Sequence, residues 1–587
     1  MCGLVGWQSV SKQDIAPQVL DNALDSIAHR GPDDSGTYFD DDLGIALGHR
    51  RLSIIDLSDA SHQPMIDPQA GVVIVYNGEL YNFRSLRTQL ETLGHHFKSR
   101  GDTEVVLRAF IQWGAGCFNY FAGMFAVAIW DKPNQSLYLA RDPTGMKPLY
   151  YGELPDRKGI VFASEIKAWL QIPDFQVNLD QQSLQQFLEF GYTFDQDRTI
   201  LANVKKIPPG FYLKVQRGKT QEICQYFTPP SALPETLIKP SDQLEHLYAT
   251  FKQVVSEHLL ADVPVGILLS GGLDSSLLTS LASKHGQVTT ISMAFAESTI
   301  DERANAQIVA QYANTKHHEV IISPNEVIGQ IQNKAWIFDD LFSDWGTIST
   351  NILYQKCRDM GIKVVLVGEG SDELFAGYGT FVQPHGIQEW QIFKLYQRYA
   401  GRRYGKFYPK FRNIFKNYLN ISSGDFCQAV RLFESQRQLP NNYVMKVDKA
   451  SMAASVEARS PFLDRRIAEI AYRLPSNYLL DQSSNKLILR EMAQKYDLLP
   501  EVVSDRPKFG ASIASSWIEE NSQFRQFASD VILQPNTWCQ KLGLQSAMED
   551  YLIHGKKGYA LPSNLSIFTH IAWRLLLLEL WSGFYLK

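Results

Sequence analysis

Between residues 227 and 242 the chain changes rhythm, and that change limits the folds open to it. The stretch FTPPSALPETLIKPSD holds four prolines and little periodic apolar pattern, so it reads as a linker. Short strand-type runs precede it: GVVIVYNG (71–78), GMFAVAIWD (123–131), SLYLARD (136–142) and GIVFASE (159–165). Turn residues, DKPNQ (131–135) and DPTG (142–145), separate them, and helical patterns fall around 16–28, 84–93 and 103–113. This series predicts a layered α+β unit of antiparallel sheets.

After the linker the pattern is strand, turn, helix, strand. VPVGILLS (263–270) suits a buried parallel strand, and a Gly-rich turn leads into the helical LLTSLASK (277–284). Strand TTISMAF (289–295), helix ERANAQIVAQYA (302–313) and strand HHEVIIS (317–323) follow, and KVVLVGE (363–369) closes the set. Such alternation predicts a doubly wound parallel sheet. Residues 380–587 read as mostly helical, packed around that sheet. A chain of 587 residues is too long for one core, in agreement with a division into domains.

Charge and composition narrow the function. The net charge is -5 with no long basic run, which argues against nucleic acid or an anionic membrane as the main partner. The first residues lack a basic region followed by an apolar one, so no secretory signal is expected. The apolar stretch IAWRLLLLELW (571–581) is broken by Arg574 and Glu579, and predicts a buried amphipathic helix rather than a membrane span. Cysteines at 2, 117, 224, 357, 427 and 539 show neither metal-ligand spacing nor a disulfide framework. A reducing cytoplasm is the expected setting.

Three loops in the second half carry chemistry. SGGLDSS (270–276) follows a strand and opens a helix, where glycine amides and a helix N-terminus favour an anion. Ser270, Ser275 and Ser276 add hydroxyl donors, and Asp274 suits a bridging Mg²⁺. The phosphate-loop pattern GxxxxGK is absent, so cleavage at the γ-phosphate is not the expected chemistry. The pattern is that of a pyrophosphate-binding loop in an enzyme that adenylates its substrate. GEGSDE (368–373) follows another strand of the same sheet and offers Glu369, Asp372 and Glu373 to the same crevice. RPKFG (506–510) places a lysine on a loop that could reach the phosphates.

The first half carries one reactive group at its very start. Cys2 has few neighbours to pack against if the terminus is only structural. Once Met1 is removed, its thiol and a free α-amine of pKa about 7.7–8.0 form nucleophile and base in one residue.

Taken together, these motifs resemble the glutamine-dependent asparagine synthetase family over nearly the whole chain. MCGLVGW, HRGPDDSG (29–36), HRRLSIIDLS (49–58), YNGELYN (76–82) and RGDTE (100–104) resemble its class II glutamine amidotransferase domain. GMFAVAIWD and RDPTGMKPLYYG (141–152) continue that match. SGGLDSS, VGEGSDELFAGY (367–378) and SVEARSPFLD (455–464) resemble its synthetase domain. The resemblance implies an N-terminal-nucleophile hydrolase sandwich (αββα) over 1–217, a linker over 218–242 and a synthetase domain over 243–587. The last would be an α/β parallel sheet of the ATP-pyrophosphatase type with a helical C-terminal region.

Residue by residue, the resemblance implies that Cys2 attacks the glutamine side-chain amide, with Asn77 and the Gly78 N–H as oxyanion hole. Arg51 would grip the α-carboxylate of glutamine, Asp102 and Glu79 its α-ammonium, and the Leu52 and Ile54 stretch would complete the pocket. Ammonia would travel through an internal tunnel to the second site. There Ser270, Gly271, Gly272, Asp274, Ser275 and Ser276 would hold the phosphates of ATP, Leu269, Met293 and Gly368 would contact its adenosine, and Val367 would also lie at the ATP site. Asp274 and Asp372 match ligands of Mg²⁺–pyrophosphate, Glu369 a glutamate that assists adenylation, and Lys508 a lysine that neutralises developing charge.

Two departures stand out. Val367 replaces a serine common before Gly-Glu-Gly, and Thr347, in DDLFSDWGTISTN (339–351), stands where well-studied members have an arginine. The acceptor expected from the resemblance is aspartate, giving asparagine, AMP and pyrophosphate. A sugar acid or natural-product precursor treated by the same mechanism is the alternative. A β-lactam-synthetase-type cyclase or a non-catalytic scaffold fits less well, because both reactive sets are intact. A homodimer is compatible with the resemblance, and the sequence does not fix the oligomeric state.

Overall fold

The computed structural model describes residues 2–10, 16–154, 159–234, 239–296, 303–383, 386–400, 405–504, 518, 521–555 and 567–586. Its first half holds β1 (Gly3–Ser9), β2 (Asp34–Asp40), β3 (Ile45–Arg51), β4 (Met65–Asp67), β5 (Val72–Leu80) and β6 (Gly123–Asp131). There follow β7 (Ser136–Arg141), β8 (Tyr150–Glu153), β9 (Gly159–Ala163), β10 (Val204–Lys206), β11 (Phe211–Gln216) and β12 (Lys219–Gln225). They form two six-stranded sheets, ordered β10-β8-β9-β1-β3-β2 and β12-β11-β7-β6-β5-β4.

The sheets stack through alternating apolar residues. Leu4 and Leu47 of one meet Val73, Val75, Ala128 and Leu139 of the other. Helix Pro17–Ser26 buries Leu20 and Leu24 against the outside of the first sheet. Helices Phe83–Thr92 and Thr103–Trp113 bury Leu86, Leu90, Val106 and Phe110 against the outside of the second. The result is the four-layered αββα sandwich.

The second half is built on a parallel sheet of β13 (Val265–Leu268), β14 (Thr289–Phe295), β15 (Lys316–Ile322), β16 (Val364–Leu366) and β17 (Glu457–Arg459). Its order is β15-β14-β13-β16-β17, every pair parallel. One apolar core runs through both halves, from Trp7 and Phe187 to Leu277 and Phe462.

The structure departs from the expectations in four places. The expected linker 218–242 contains β12, which extends the second sheet beside β11, and helix Pro240–His258 starts inside it. The strand expected over 363–369 is only Val364–Leu366, because the chain turns at Gly370 with φ +87. The sheet does not close at that strand, since β17 adds a fifth partner much later in the chain. The C-terminal helix Ile567–Tyr585 is enclosed around its middle rather than amphipathic, with Ala572, Leu575, Leu576, Leu577, Leu578 and Trp581 buried, and its last turn opens at Gly583 and Phe584. Its Arg574 survives burial by donating to the Leu188 and Glu189 carbonyls at 3.0 Å. Among the described residues no helix is long and apolar enough to cross a membrane.

Candidate active sites

Cys2 immediately precedes β1, and Asn77, Gly78 and Glu79 end β5 in the facing sheet. The sandwich therefore brings chain start and β5 together. The Cys2 backbone N–H donates to Asn77 Oδ1 at 2.9 Å. Asn77 is fully buried, and its Nδ2 finds no hydrogen-bond partner among the described residues. A buried donor left open is costly, so a site that supplies an acceptor during reaction is its natural explanation. Gly78 is required sterically, because a Cβ there would lie 2.3 Å from the Met124 carbonyl oxygen. Its ladder partner Phe125 donates its N–H to Asp142 and receives the Asp142 N–H, which leaves Gly78 at a non-hydrogen-bonded ladder position.

A pocket of about 390 Å³ opens here, and its walls include Cys2, Arg51, Leu52, Ile54, Glu79 and Asp102. The eight glutamine-site residues expected from sequence thus gather in one place, with Gly78 also in the wall and Asn77 bonded to Cys2. Arg51 ends β3, and its guanidinium donates to the Asp56 carbonyl at 2.5 Å and the Ser58 carbonyl at 3.3 Å. Asp102 Oδ2 accepts the Leu80 N–H at 2.9 Å. Burial pushes the Asp102 carboxyl up to about 6. Burial also raises the Cys2 thiol, against the pull of the chain's terminal ammonium and the Leu52 N–H. Arg30 fixes the start of the chain by donating to the Cys2 carbonyl at 3.0 Å and, as a fork, to Asp448 at 2.8 and 3.0 Å.

The second site lies past the C-terminal ends of β13, β14 and β16, where parallel sheets bind ligands. The loop 270–272 leads into helix Leu273–Ser283. Gly271 turns with φ +73, and a Cβ there would lie 2.6 Å from the Ala306 N. Ser270 Oγ stands 3.1 Å from Ser275 Oγ and accepts the Gly272 N–H at 3.3 Å. Ser276 is buried in the first turn of the helix. Leu269, Met293 and Gly368 lie one or two residues beyond the last register partners Leu268–Ile291 and Ile267–Leu366. Gly368 approaches the loop closely, since a Cβ there would be 3.3 Å from Asp274 Cβ, and Val367 beside it is buried.

Asp274 and Asp372 converge although 98 residues separate them. Lys486 Nζ stands between them, 2.6 Å from Asp274 and 2.7 Å from Asp372, and Ser371 Oγ donates to Asp274 at 2.7 Å. Glu369 faces Lys446 at 3.9 Å, and Lys446 is equally far from Asp344. Thr347 is buried with its hydroxyl donating to the Asp344 carbonyl at 3.1 Å, so the cation of this neighbourhood is Lys446. Lys508 lies outside the described residues.

Sequence reasoning missed the groups that join the two sites. Arg459 on β17 reaches Glu79 at 2.9 Å and Glu457 at 2.5 Å, and Asp448 receives Arg30. Buried charges in neighbouring motifs were the available signal, since a charge in a core needs a partner.

A buried cysteine at the chain start on a two-sheet sandwich, joined to a parallel sheet with a Gly- and Ser-rich strand-to-helix loop, is the architecture of a two-site glutamine-dependent ligase. A glutamine amidotransferase domain model matches residues 1–227 and an asparagine synthase model residues 246–581, so the chain belongs to the asparagine synthase family. It is 29% identical to asparagine synthetase [glutamine-hydrolyzing] 1 of Bacillus subtilis, over 96% of this chain and 92% of that protein. A putative asparagine synthetase of Mycobacterium tuberculosis is also 29% identical, over 87% of each chain. Amidase chry2 of Gibberella zeae is 33% identical over 62% of this chain and 55% of its own.

Proposed function

We propose that the protein makes asparagine from aspartate, with glutamine as nitrogen donor and ATP as activator. The observation that carries this reading is Asn77, which holds the Cys2 N–H while keeping a buried donor open. With Met1 removed, the Cys2 amine accepts the thiol proton and the sulfur attacks the glutamine amide carbon. Asn77 Nδ2 and the Gly78 N–H meet the oxyanion, where one such donor is worth about 10²–10³ in kcat. Ammonia leaves, and water releases glutamate from the thioester. Arg51 holds the α-carboxylate, and Glu79 with Asp102 holds the α-ammonium.

The route for ammonia runs between the halves. A small cavity lies there, lined by Arg141, Met146, Leu149, Tyr150, Met445 and Asp448. Helix Val444–Met452 connects it to the second site, since Met445 lines the cavity while its neighbour Lys446 faces Glu369. Enclosure keeps ammonia unprotonated and shields the acyl-adenylate from water.

At the second site the Ser270–Ser276 loop binds the phosphates of ATP, Leu269, Met293, Val367 and Gly368 its nucleoside side, and Lys446 the acceptor's carboxylate. Aspartate attacks the α-phosphate, and ammonia then displaces AMP with Glu369 as base. Lys508 would add charge from its loop. Magnesium fits the donor set, because Asp274 and Asp372 offer hard oxygens around one point already held by a cation. Bound there, it would neutralise the departing pyrophosphate. Six unpaired cysteines suit a reducing cytoplasm.

The test is product analysis with glutamine, ATP, Mg²⁺ and a panel of carboxylates including aspartate. Asparagine with stoichiometric AMP, lost in Cys2→Ala and restored by ammonia, is the expected result. Glutamine hydrolysis without asparagine would overturn aspartate as acceptor.

A further inference from the structure

Arg459 plays no part in the reaction as laid out above, yet its side chain is held from four directions. It sits on β17 in the second half and is fully buried. Nη1 donates to the His258 carbonyl at 2.8 Å and the Leu260 carbonyl at 2.7 Å. Nε donates to Glu457 Oε1 at 2.5 Å. These bonds leave the guanidinium one direction to face, and there Nη2 lies 2.9 Å from Glu79 Oε1. Glu79 lines the pocket that opens on Cys2.

Acidic groups crowd the Glu79 side of that pocket. Glu79, Asp102 and Glu457 are carboxylates facing one another. Arg459 is the cation that all three meet, and the phenols of Tyr76 and Tyr81 complete the group. Burial pushes the Glu79 carboxyl well above the usual range, and Arg459 is the strongest influence opposing it. A ligand's ammonium would meet the Glu79 and Asp102 carboxylates on that side.

We infer that Arg459 is a positioning residue for glutamine: it keeps the Glu79 carboxylate charged and aimed into the pocket, so a residue of the synthetase half completes the ammonium subsite of the glutaminase half. This rests on reading the pocket as a glutaminase site. The same strand also supports the second site. The Val367 N–H donates to the Arg459 carbonyl at 2.9 Å, and Ser460 Oγ donates to the Glu369 carbonyl at 2.5 Å. A plain structural staple between the halves would lower both activities together. A positioning role acts on glutamine binding and its pH dependence.

The experiment uses the full-length, Met1-processed protein and its Arg459→Gln and Arg459→Lys variants. Glutaminase rates are followed from about pH 6 to 9, together with ammonia-dependent synthesis. Alkylation of Cys2 by iodoacetamide, with and without glutamine, is read in parallel. Arg459→Gln should raise the KM for glutamine about 30-fold or more while kcat stays within about threefold. Its acid limb should move up by about one pH unit or more, and Arg459→Lys should lie between it and wild type. Iodoacetamide needs no ammonium subsite, so its rate should stay within about twofold of wild type.

An unchanged KM and acid limb, or a parallel fall of kcat and ammonia-dependent synthesis, would overturn the inference. If Arg459→Gln does not fold, Glu79→Gln is compared with Glu79→Gln/Arg459→Gln, which removes both charges. Equal KM values support the inference, and a further rise in the double variant contradicts it. Wild-type protein that neither hydrolyses glutamine nor is protected by it from alkylation would instead sink the glutaminase reading. Hydrolysis by wild type with an unaltered Arg459→Gln would sink this inference alone.

Discussion

The two candidate sites are built on opposite plans. Around Cys2 the candidate groups Cys2, Asn77 and Glu79 sit on or beside strands, Asp102 stands at the N-cap of helix Thr103–Trp113, and all four are buried. Two stacked sheets fix them before any substrate arrives, which suits a reaction that needs a donor waiting for an oxyanion. Around Asp274 the groups sit on loops past strand ends and on the first turns of the helices that follow. Ser270 is exposed, and the Glu369 side chain keeps 30% of its surface open. Charge is balanced differently as well. Arg459 reaches Glu79 with its other donors already committed, whereas Lys486 stands between Asp274 and Asp372 where a metal and phosphates are expected. The first site specifies side chains within a sheet. The second specifies backbone amides and a place for exchangeable cations.

That contrast breaks if a substitution in one site damages the other reaction. The largest effect is expected for Asp372→Asn, which should reduce ATP-dependent synthesis about 10³-fold while glutamine hydrolysis stays within about twofold. Pyrophosphate and glutamate release, measured side by side, check it. Asn77→Ala should lower the kcat of glutamine hydrolysis about 10²–10³-fold and leave ammonia-dependent synthesis intact.

A smaller effect sharpens the electrostatic side of the comparison. Burial holds Asp102 at about 6, so its carboxylate is charged above that pH and neutral below it. The glutamine ammonium needs the charged form. Glutaminase kcat/KM should therefore fall toward about tenfold per unit below pH 6, and Asp102→Asn should change that limb while leaving the part set by Glu79. The smallest effect is expected at the rim. Lys363 and Asp33 pair at 2.9 Å with both side chains about a quarter exposed, and Lys363→Ala should cost under about 1 kcal/mol by thermal unfolding.

The sequence was legible where periodicity or turn chemistry was strong. Strands 123–131 and 289–295 and the helix around 103–113 follow from apolar spacing alone. β17 did not, because three residues show no alternation and two of them, Glu457 and Arg459, are charges in a buried strand. Tertiary partners decide that strand: Arg459 donates to the His258 and Leu260 carbonyls and to Glu457, and its Nη2 stands 2.9 Å from Glu79 of the other half. The glutamine-pocket residues were readable from motifs, since each motif lies on one strand or turn. The links between halves were not, because Arg30 with Asp448 and Glu79 with Arg459 are separated by 418 and 380 residues.

Coupling of the two sites requires nitrogen to pass from the first to the second without leaving the protein. The direct measurement supplies glutamine labelled with ¹⁵N in its side-chain amide, in a buffer rich in unlabelled ammonium, with ATP, Mg²⁺ and aspartate. The account predicts asparagine whose side-chain nitrogen keeps nearly the full label of the glutamine. Asparagine labelled only to the level of the mixed ammonium pool would contradict it.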